Sequence, residues 1–276
     1  MVIGMDREES KRMQNTLRLA VCSNLRRRIL ISLKEGKKEL RELRDEMEVS
    51  STTAIHALRE LEKDNLVFQD VDRGYALTKI GEIVALKLND FVDAIEALKK
   101  HERFWLEHDL SGIPAHLLEK IGWLRDSTLV EDTSTDIFKV HLNFVNLLKN
   151  AKEIKGVSSI FVPDYPLLFR DLIIKKKADV QLVITEDVFN KMLGMTNQKL
   201  LKKAIKDENF KLKLYTIEEN INAAFTVTDY FLSFGLFHVG GSYDYNRDII
   251  SYDREAIEWG RELFEWYLKR AERVYL

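Results

Sequence analysis

The stretch from residue 50 to residue 77 restricts the fold of this chain more than any other part. It begins with Ser50, Ser51 and Thr52, which are residue types that cap helix N-termini. The apolar residues that follow recur every three or four positions, as on one face of a helix: Ala54, Ile55, Leu58 and Leu61. Two short β-prone runs then flank the turn-forming residues 70–74. The pattern predicts a helix that leads directly into a β-hairpin.

Two more helices are predicted ahead of this one. Residues 16–34 carry an apolar stripe formed by Leu17, Val21, Leu25, Ile29, Leu30 and Leu33. Gly36 suits the end of that helix, and residues 38–47 form a second, short one. The single cysteine, Cys22, falls within the apolar pattern, so we expect a packed side chain rather than a reactive thiol. The result is three helices followed by a hairpin.

Charge is balanced overall but unevenly distributed along the chain. The net charge of −2 and the isoelectric point near 6.4 argue against a protein that coats nucleic acid through its total charge. Between Lys11 and Arg44, however, eleven Lys and Arg residues stand against three Glu residues. Such a run forms either solvated helix faces or a surface that contacts phosphates. Charge alone leaves both interpretations open.

The sequence STTAIHALRELEKDNLVF at residues 51–68, followed by RGYALTKIG at residues 73–81, resembles the recognition helix and wing of prokaryotic winged helix-turn-helix regulators. The resemblance implies an α+β domain that binds double-stranded DNA, with the helix in the major groove. The residues it places toward the groove are Ser51, Thr52, Thr53, His56 and Arg59. It places Arg73 and Tyr75 at the wing. The alternative is an adaptor that uses a winged helix to bind protein.

A histidine on such a helix raises the question of metal sensing. The six histidines lack close pairs four residues apart and repeated carboxylate partners. We therefore predict no metal site and no cofactor.

Residues 79–108 form a continuous helical pattern with an apolar heptad seam at Val84, Leu88, Phe91, Ile95 and Leu98. A paired helix in a homodimer would use this seam, although it could instead pack onto the chain's own C-terminal domain. We therefore divide the chain into a DNA-binding domain at 1–78, a linker and dimerisation helix at 79–109, and an effector-sensing domain at 110–276.

In the region 110–276, predicted strands alternate with predicted helices. The predicted strands are 127–131, 157–162, 179–185, 211–216, 223–228 and 231–238, and the predicted helices are 137–150, 166–176, 186–206 and 254–273. This order predicts an α/β domain with a mainly parallel sheet, closed by an antiparallel hairpin at 223–238. The aromatic residues of the last strands and last helix are expected to fill its core.

Polar residues near the predicted strand ends are candidates for binding a small-molecule effector, because ligands of α/β sheets bind there. These residues are Asp164, Tyr165, Thr185, Glu186 and Asp229.

The order of elements resembles the phospholipase-D-like fold, but the catalytic pair of that family, a His and a Lys two residues apart, is absent from the sequence. The runs DYFLSFGLF at 229–237, GSYD at 241–244 and SYDREAIEWGRELF at 251–264 resemble the archaeal methanogenesis regulatory protein (Fil-type) family. That resemblance implies a transcription regulator with a sensing middle domain. An α/β enzyme with a nucleic-acid-binding appendage is the less favoured alternative. No apolar run approaches a membrane span, and we expect a cytoplasmic protein.

Overall fold

The computed structural model describes residues 6–195 and 211–275. The chain folds as two compact units, one up to Val92 and one from Asp93 onward. Within the described ranges, none of the helices combines the length and apolar character needed to cross a bilayer. The fold is a multidomain mixture of helices and strands.

The first unit is a group of helices closed by a hairpin. Its elements are α1 (Arg7–Val21), α2 (Asn24–Ser32), α3 (Leu40–Met47), α4 (Ser51–Lys63), β1 (Val67–Gln69), β2 (Tyr75–Leu77) and the first part of α5 (Lys79–Lys100). β1 and β2 pair antiparallel, with Val67 opposite Leu77. The core between the helices and the hairpin is apolar and includes Ile29, Leu43 and Leu58, each fully buried. Four helices, one more than predicted, precede the predicted hairpin.

The first predicted helix is wrong in one respect, because the structure divides it into α1 and α2. Ser23 has an extended backbone, with φ −117° and ψ 113°, and its side chain accepts a hydrogen bond from the backbone N–H of Arg26 at 3.4 Å. A serine that caps a new helix therefore interrupts the apolar pattern. Cys22 lies at this break and is exposed, so the expectation of a packed cysteine is also wrong.

Gly81 allows the first turn of α5 to lie directly against the backbone between α4 and β1. A Cβ atom at this position would lie 1.8 Å from the carbonyl oxygen of Leu66. Thr78 caps the same helix, since its hydroxyl accepts a hydrogen bond from the Gly81 N–H at 3.0 Å. The close approach fixes where α5 leaves the hairpin.

The helix predicted as far as residue 108 is interrupted. His101, with φ −126° and ψ 39°, separates α5 from α6 (Glu102–Glu107). Val84 and Leu88 pack in the first unit. Leu98 packs against the core of the second unit. The heptad seam is therefore partly used within the protomer, and its remaining members, Phe91 and Ile95, are 54% and 44% exposed.

The second unit is built on one large sheet. Besides α6 its elements are α7 (Ala115–Leu118), β3 (Thr128–Glu131), α8 (Lys139–Leu148), β4 (Glu153–Ser158), α9 (Tyr165–Lys176), β5 (Asp179–Thr185), α10 (Glu186–Met195), β6 (Leu212–Ile217), β7 (Ala223–Thr228), β8 (Leu232–Leu236), β9 (Arg247–Ser251), α11 (Arg254–Leu268) and β10 (Glu272–Arg273). The predicted helical residues 196–206 lie outside the described residues.

The strand order in this eight-stranded sheet is β10-β6-β5-β4-β7-β8-β9-β3. Only the β4–β5 and β5–β6 pairs are parallel, and the other pairs among the described strands are antiparallel. The prediction of a mainly parallel sheet is therefore wrong. The predicted hairpin is confirmed as β7–β8, but it lies inside the sheet instead of closing its edge.

The pairing directions place the carboxyl ends of β3, β4, β5, β6 and β8 at one edge of the sheet, which we call the carboxyl edge. α11 covers one face of the sheet, where Trp259 and Phe264 are fully buried together with Phe234. α8 and α9 cover the other face, where Leu148 and Leu172 pack on strand residues. The expected aromatic core is present on the α11 face.

Candidate functional site

The outward face of α4 carries polar side chains that are open to solvent. Ser51, Thr52, His56 and Arg59 are all exposed. The opposite face of the helix is buried and consists of Ala54, Ala57, Leu58 and Leu61. The amphipathic pattern thus fixes which residues a binding partner could reach. Their predicted role in contacting DNA stays a prediction.

Thr53 is also exposed, but it takes part in the start of the helix. Its hydroxyl lies 2.8 Å from the Ser50 hydroxyl, and its backbone N–H donates to the same Ser50 oxygen at 3.2 Å. Ser50 is therefore the N-cap residue of α4. Thr53 helps to hold the first turn rather than standing free.

The two predicted wing residues differ in position. Arg73 lies in the turn between β1 and β2, is exposed, and has a left-handed backbone with φ 66°. Tyr75 lies in β2 but is only 7% exposed and packs in the core of the first unit. Burial is the largest cause of a raised pKa for its hydroxyl. Because the ring faces inward, the prediction that Tyr75 contacts DNA is wrong.

Much of the positive charge in the first unit is already paired with carboxylates. The ion pairs include Arg26–Glu60, Lys37–Asp70, Lys37–Asp72, Lys38–Glu35, Lys38–Glu46 and Arg44–Asp45. Hydrogen bonds from its ammonium group to Asp70 and Asp72 raise the pKa of Lys37. Arg59 and Arg73, by contrast, form no ion pair with any residue in the described ranges. These two guanidinium groups remain available to an external anion.

A groove of about 360 Å³ lies beside α4 in the first unit. Its lining residues are Ser23, Leu25, Arg26, Thr52, Thr53, His56 and Ala57. The groove therefore brings together the N-terminal turns of α2 and α4. Backbone N–H groups at helix N-termini lack intrahelical partners, and the helix dipole adds positive potential there. Such a place suits a phosphate oxygen.

The predicted effector residues of the second unit fall into two groups. Asp164, Tyr165, Thr185 and Glu186 lie at or beyond the carboxyl edge, at the beginnings of α9 and α10. Asp164 and Glu186 are exposed, whereas Tyr165 and Thr185 are partly buried. The Tyr165 ring stacks on the His141 ring at 5.8 Å between centroids. The structure thus brings Tyr165 into an aromatic environment that the sequence did not indicate.

Asp229 lies at the opposite edge of the sheet, because β7 runs antiparallel to β4. Its carboxylate accepts hydrogen bonds from the backbone N–H groups of Lys152 at 2.9 Å and Glu153 at 3.3 Å. The residue thus holds the start of β4. Asp229 therefore lies apart from Asp164 and Thr185, and its role in binding an effector stays a prediction.

Asp248 was missed from the sequence. It is 6% exposed within β9, and one of its oxygens accepts a hydrogen bond from Ser233. The other oxygen, Oδ1, has no hydrogen-bond partner in the described part of the chain. Burial raises the pKa of Asp248 to about 7, although hydrogen bonds from Ser233 and from the backbone N–H of Phe234 oppose that shift. The only signal in the sequence that could have pointed to Asp248 is an acidic residue inside a buried strand. We did not predict β9, the strand that contains it.

Two tyrosines come close to Asp248. Burial, and then the nearby Asp248 carboxylate, raise the pKa of Tyr165 and of Tyr243. Tyr243 crosses β8 at Gly235, where an added Cβ would lie 2.3 Å from the tyrosine oxygen. The glycine therefore leaves room for the phenol. Together, Tyr165, Tyr243 and Asp248 form a polar cluster within the second unit.

A winged helix followed in the same chain by a large mixed sheet defines a two-domain winged-helix protein. The N-terminal domain of the Methanogenesis regulatory protein FilR1 matches residues 14–96, and its middle domain matches residues 137–270. The chain belongs to the family of the methanogenesis regulatory protein FilR1.

Similar proteins include the Methanogenesis regulatory protein FilR1 of Methanothrix harundinacea (strain 6Ac), which is 29% identical over 239 residues. That match covers 86% of this chain and 53% of the relative, so the chain spans about half the length of the relative.

Among solved structures, TrmBL2, an archaeal chromatin protein with a novel mode of DNA binding, is 18% identical, with a TM-score of 0.43, covering 96% of this chain and 99% of that one. The phospholipase D family member Nuc from Salmonella typhimurium is 16% identical, with a TM-score of 0.38, covering 54% and 99%. Both likenesses are too distant to carry an assignment of function.

Proposed function

We propose that this protein is a transcription regulator that binds double-stranded DNA with α4 in the major groove. The observation that carries the proposal is the exposed face of α4, where hydroxyls, an imidazole and the unpaired Arg59 guanidinium stand side by side. Arg is the side chain that most often reads guanine in the major groove, and the N-terminal turns of a recognition helix reach the base edges. Membership of a regulatory protein family supports the proposal.

Phosphate contacts would come from the surroundings of this face. The groove at the N-termini of α2 and α4 suits one phosphate, and Arg73 in the wing suits another. Contacts of this kind position a protein on the duplex without reading its sequence. Ser51, Thr52, His56 and Arg59 would then supply the base contacts.

We further propose a homodimer that uses Phe91 and Ile95 of α5. Both side chains are apolar and large, and each leaves close to half of its surface in solvent within a single protomer. Sedimentation equilibrium at micromolar concentration would test this part, and a monomer there would rule it out. Only a dimer places two recognition helices on one operator.

The second unit would sense a small polar effector. The support for this role is the cluster of Tyr165, Tyr243 and Asp248, in which a buried carboxyl oxygen lacks a partner. Buried polar groups are nearly always hydrogen-bonded, so an unpaired one marks a place that a ligand could complete. Thermal-shift screens with sugars, nucleotides and small acids would test the role. An Asp164→Ala variant that kept the full ligand-induced shift would remove Asp164 from the site.

The experiment for DNA binding has two arms. Genome-wide footprinting with purified protein would first supply an operator, and its affinity would then be titrated against salt. Several Lys and Arg contacts to phosphate predict a steep fall in affinity as salt rises. Arg59→Ala should weaken operator binding by about 1–3 kcal/mol and relax specificity at one base pair.

Arg261→Ala provides the matched control, since it removes a partly exposed arginine from the second unit. Its operator affinity should equal that of the wild type. Full affinity in Arg59→Ala would exclude Arg59 as a base contact. If no fragment is bound above the level of random DNA, the adaptor alternative is the better one.

A further inference from the structure

Three residues that are far apart in the sequence meet at the carboxyl edge of the second unit. His108 follows α6, His238 follows β8, and Asp244 lies in the loop before β9. The Asp244 Oδ2 atom is 3.1 Å from Nε2 of His108 and 3.7 Å from Nε2 of His238. All three potential ligand atoms lie within 4.8 Å of one another. Histidine nitrogen and carboxylate oxygen are common ligands of transition metals.

Backbone hydrogen bonds hold these residues in place. The N–H of Asp109, next to His108, donates to the Phe237 carbonyl at 2.8 Å, beside His238. The N–H of Asp244 donates to the Leu236 carbonyl at 3.1 Å at the end of β8. Each ligand therefore stands on backbone that is tied to the same strand. A site supported in this way needs little movement of the backbone to bind an ion.

The hydrogen bonds of His108 decide where its ring protons lie. Nδ1 is 2.5 Å from the carbonyl oxygen of Phe104, and a carbonyl only accepts, so Nδ1 carries a proton. Nε2, on the other side of the ring, faces the carboxylate of Asp244. A proton on Nε2 or a bound cation can bridge the two groups. Histidines that bind metals usually donate their other N–H to a backbone carbonyl or a carboxylate, as here.

Asp244 accepts hydrogen bonds from two further donors. The backbone N–H of Asn246 donates to its Oδ1 at 3.0 Å. Arg247 donates from Nε to Oδ2 at 2.6 Å and also pairs with Glu107 at 2.8 Å. A carboxylate oxygen has two lone pairs, so Oδ2 can accept from Arg247 and still bind an ion. Glu107 offsets part of the positive charge that Arg247 brings to the site.

We propose that His108, His238 and Asp244 bind a divalent transition-metal ion, with zinc as the best fit, and leave a coordination position open to solvent. Tetrahedral zinc with bonds of about 2.0–2.1 Å places its ligand atoms roughly 3.3 Å apart. The His108–Asp244 distance already fits. The His238 ring is stacked on the His108 ring, with centroids 4.8 Å apart and planes 19° from parallel, so its Nε2 must turn toward the ion before it can bind. Its side chain is 37% exposed, unlike the buried pair, which leaves room for that rotation. Its exposure also provides the path by which the ion enters.

The test uses full-length protein without a histidine tag, stripped of metal by a chelator. Titration with Zn²⁺ should give one bound ion per chain and a higher melting temperature, because an ion that binds only the folded state stabilises it. Co²⁺ should give visible ligand-field absorption that Zn²⁺ abolishes by competition. His238→Ala should weaken Zn²⁺ binding by about 100-fold or more, since loss of a ligand costs at least as much as loss of its supporting residues.

His238 is the ligand to substitute because its side chain is partly exposed, so its removal leaves the core intact. Circular dichroism checks the fold of the variant. His116→Ala is the matched control, since it removes an exposed histidine of the same unit that belongs to α7. It should bind Zn²⁺ as the wild type does. Substoichiometric Zn²⁺ in the wild-type protein would overturn the proposal, and so would wild-type affinity in His238→Ala.

Discussion

The two units arrange their polar residues in opposite ways. On α4 the hydroxyls, His56 and Arg59 stand in solvent, and Arg59 has no ion-pair partner in the described residues. In the second unit His108, Asp244 and Arg247 are largely buried and bonded to each other. Exposed, unpaired groups cost little to keep and are available to a partner, whereas buried groups must be paired. Substitutions in the first unit should therefore alter binding, and substitutions in the second should alter stability.

The largest effect is expected from Arg247→Ala. The change leaves the carboxylate of Asp244, which is 2% exposed, without its arginine, and an unpaired buried charge costs about 3–5 kcal/mol. All four tryptophans lie beyond residue 93, at 105, 123, 259 and 266. Denaturation followed by tryptophan fluorescence therefore reports on the second unit alone. Arg261→Ala, at a partly exposed ion pair, should cost less than about 1 kcal/mol. Equal losses of unfolding free energy in Arg247→Ala and Arg261→Ala would contradict the view that buried pairing stabilises the second unit.

Asp248→Asn should stabilise the second unit at high pH. The pKa of Asp248 is raised to about 7 in the folded state. Between about pH 4 and pH 7 the carboxyl group is therefore ionised in the unfolded chain but protonated in the folded one, and the wild type loses stability as pH rises through this range. Asparagine does not ionise, so the variant should keep the roughly 2–4 kcal/mol of unfolding free energy that the wild type has lost above pH 7. Tryptophan-monitored denaturation at pH 8 and at pH 4 would measure it. A difference between variant and wild type that is the same at both pH values would contradict the assigned pKa.

Ser50→Ala should cost the first unit about 1 kcal/mol, because it removes the N-cap of α4. Far-ultraviolet circular dichroism would show the loss, while the tryptophan signal should not move. Ser51→Ala is the control, since Ser51 is exposed and caps nothing. If both variants lost the same stability, the cap would not be the cause.

The smallest effect is expected at the wing. Lys37→Ala would leave Asp70 and Asp72 without the cation that pairs with them. Because the two carboxylates would then repel DNA phosphates, operator affinity should fall several-fold at low salt. Lys34→Ala removes the same charge from an exposed side chain that forms no ion pair among the described residues. A larger loss in Lys37→Ala than in Lys34→Ala would show that the wing lies near the DNA. Equal losses would place it elsewhere.

The contrast between the units also explains what the sequence could reveal. The face of α4 is set by residues within one helix, so the period of its apolar positions was enough to separate Arg59 from Leu58. Tyr75 was misplaced because alternation along a strand of three residues does not show which face is buried.

In the second unit, pairing decides position. β7 turns back beside β4, so Asp229 lies at the opposite edge of the sheet from Asp164 and Thr185. His108 lies more than a hundred positions before His238 and Asp244 in the sequence. Their spacing therefore gave no sign of a common site. Local patterns reveal helix faces, but they do not reveal which strands become neighbours.

The pairing of β3 with β9 has a consequence for biosynthesis. Thr128 lies opposite Ile250, so about 120 positions must be translated before this pair can form. α11, which follows β9, supplies the side chains that cover Phe234. Contacts between residues so distant in sequence form slowly. Until they form, the incomplete domain exposes apolar surface. As the chain leaves the ribosome, the winged helix can fold early, whereas the large sheet stays unfinished until its last strands emerge, and it is this half that would depend on chaperones.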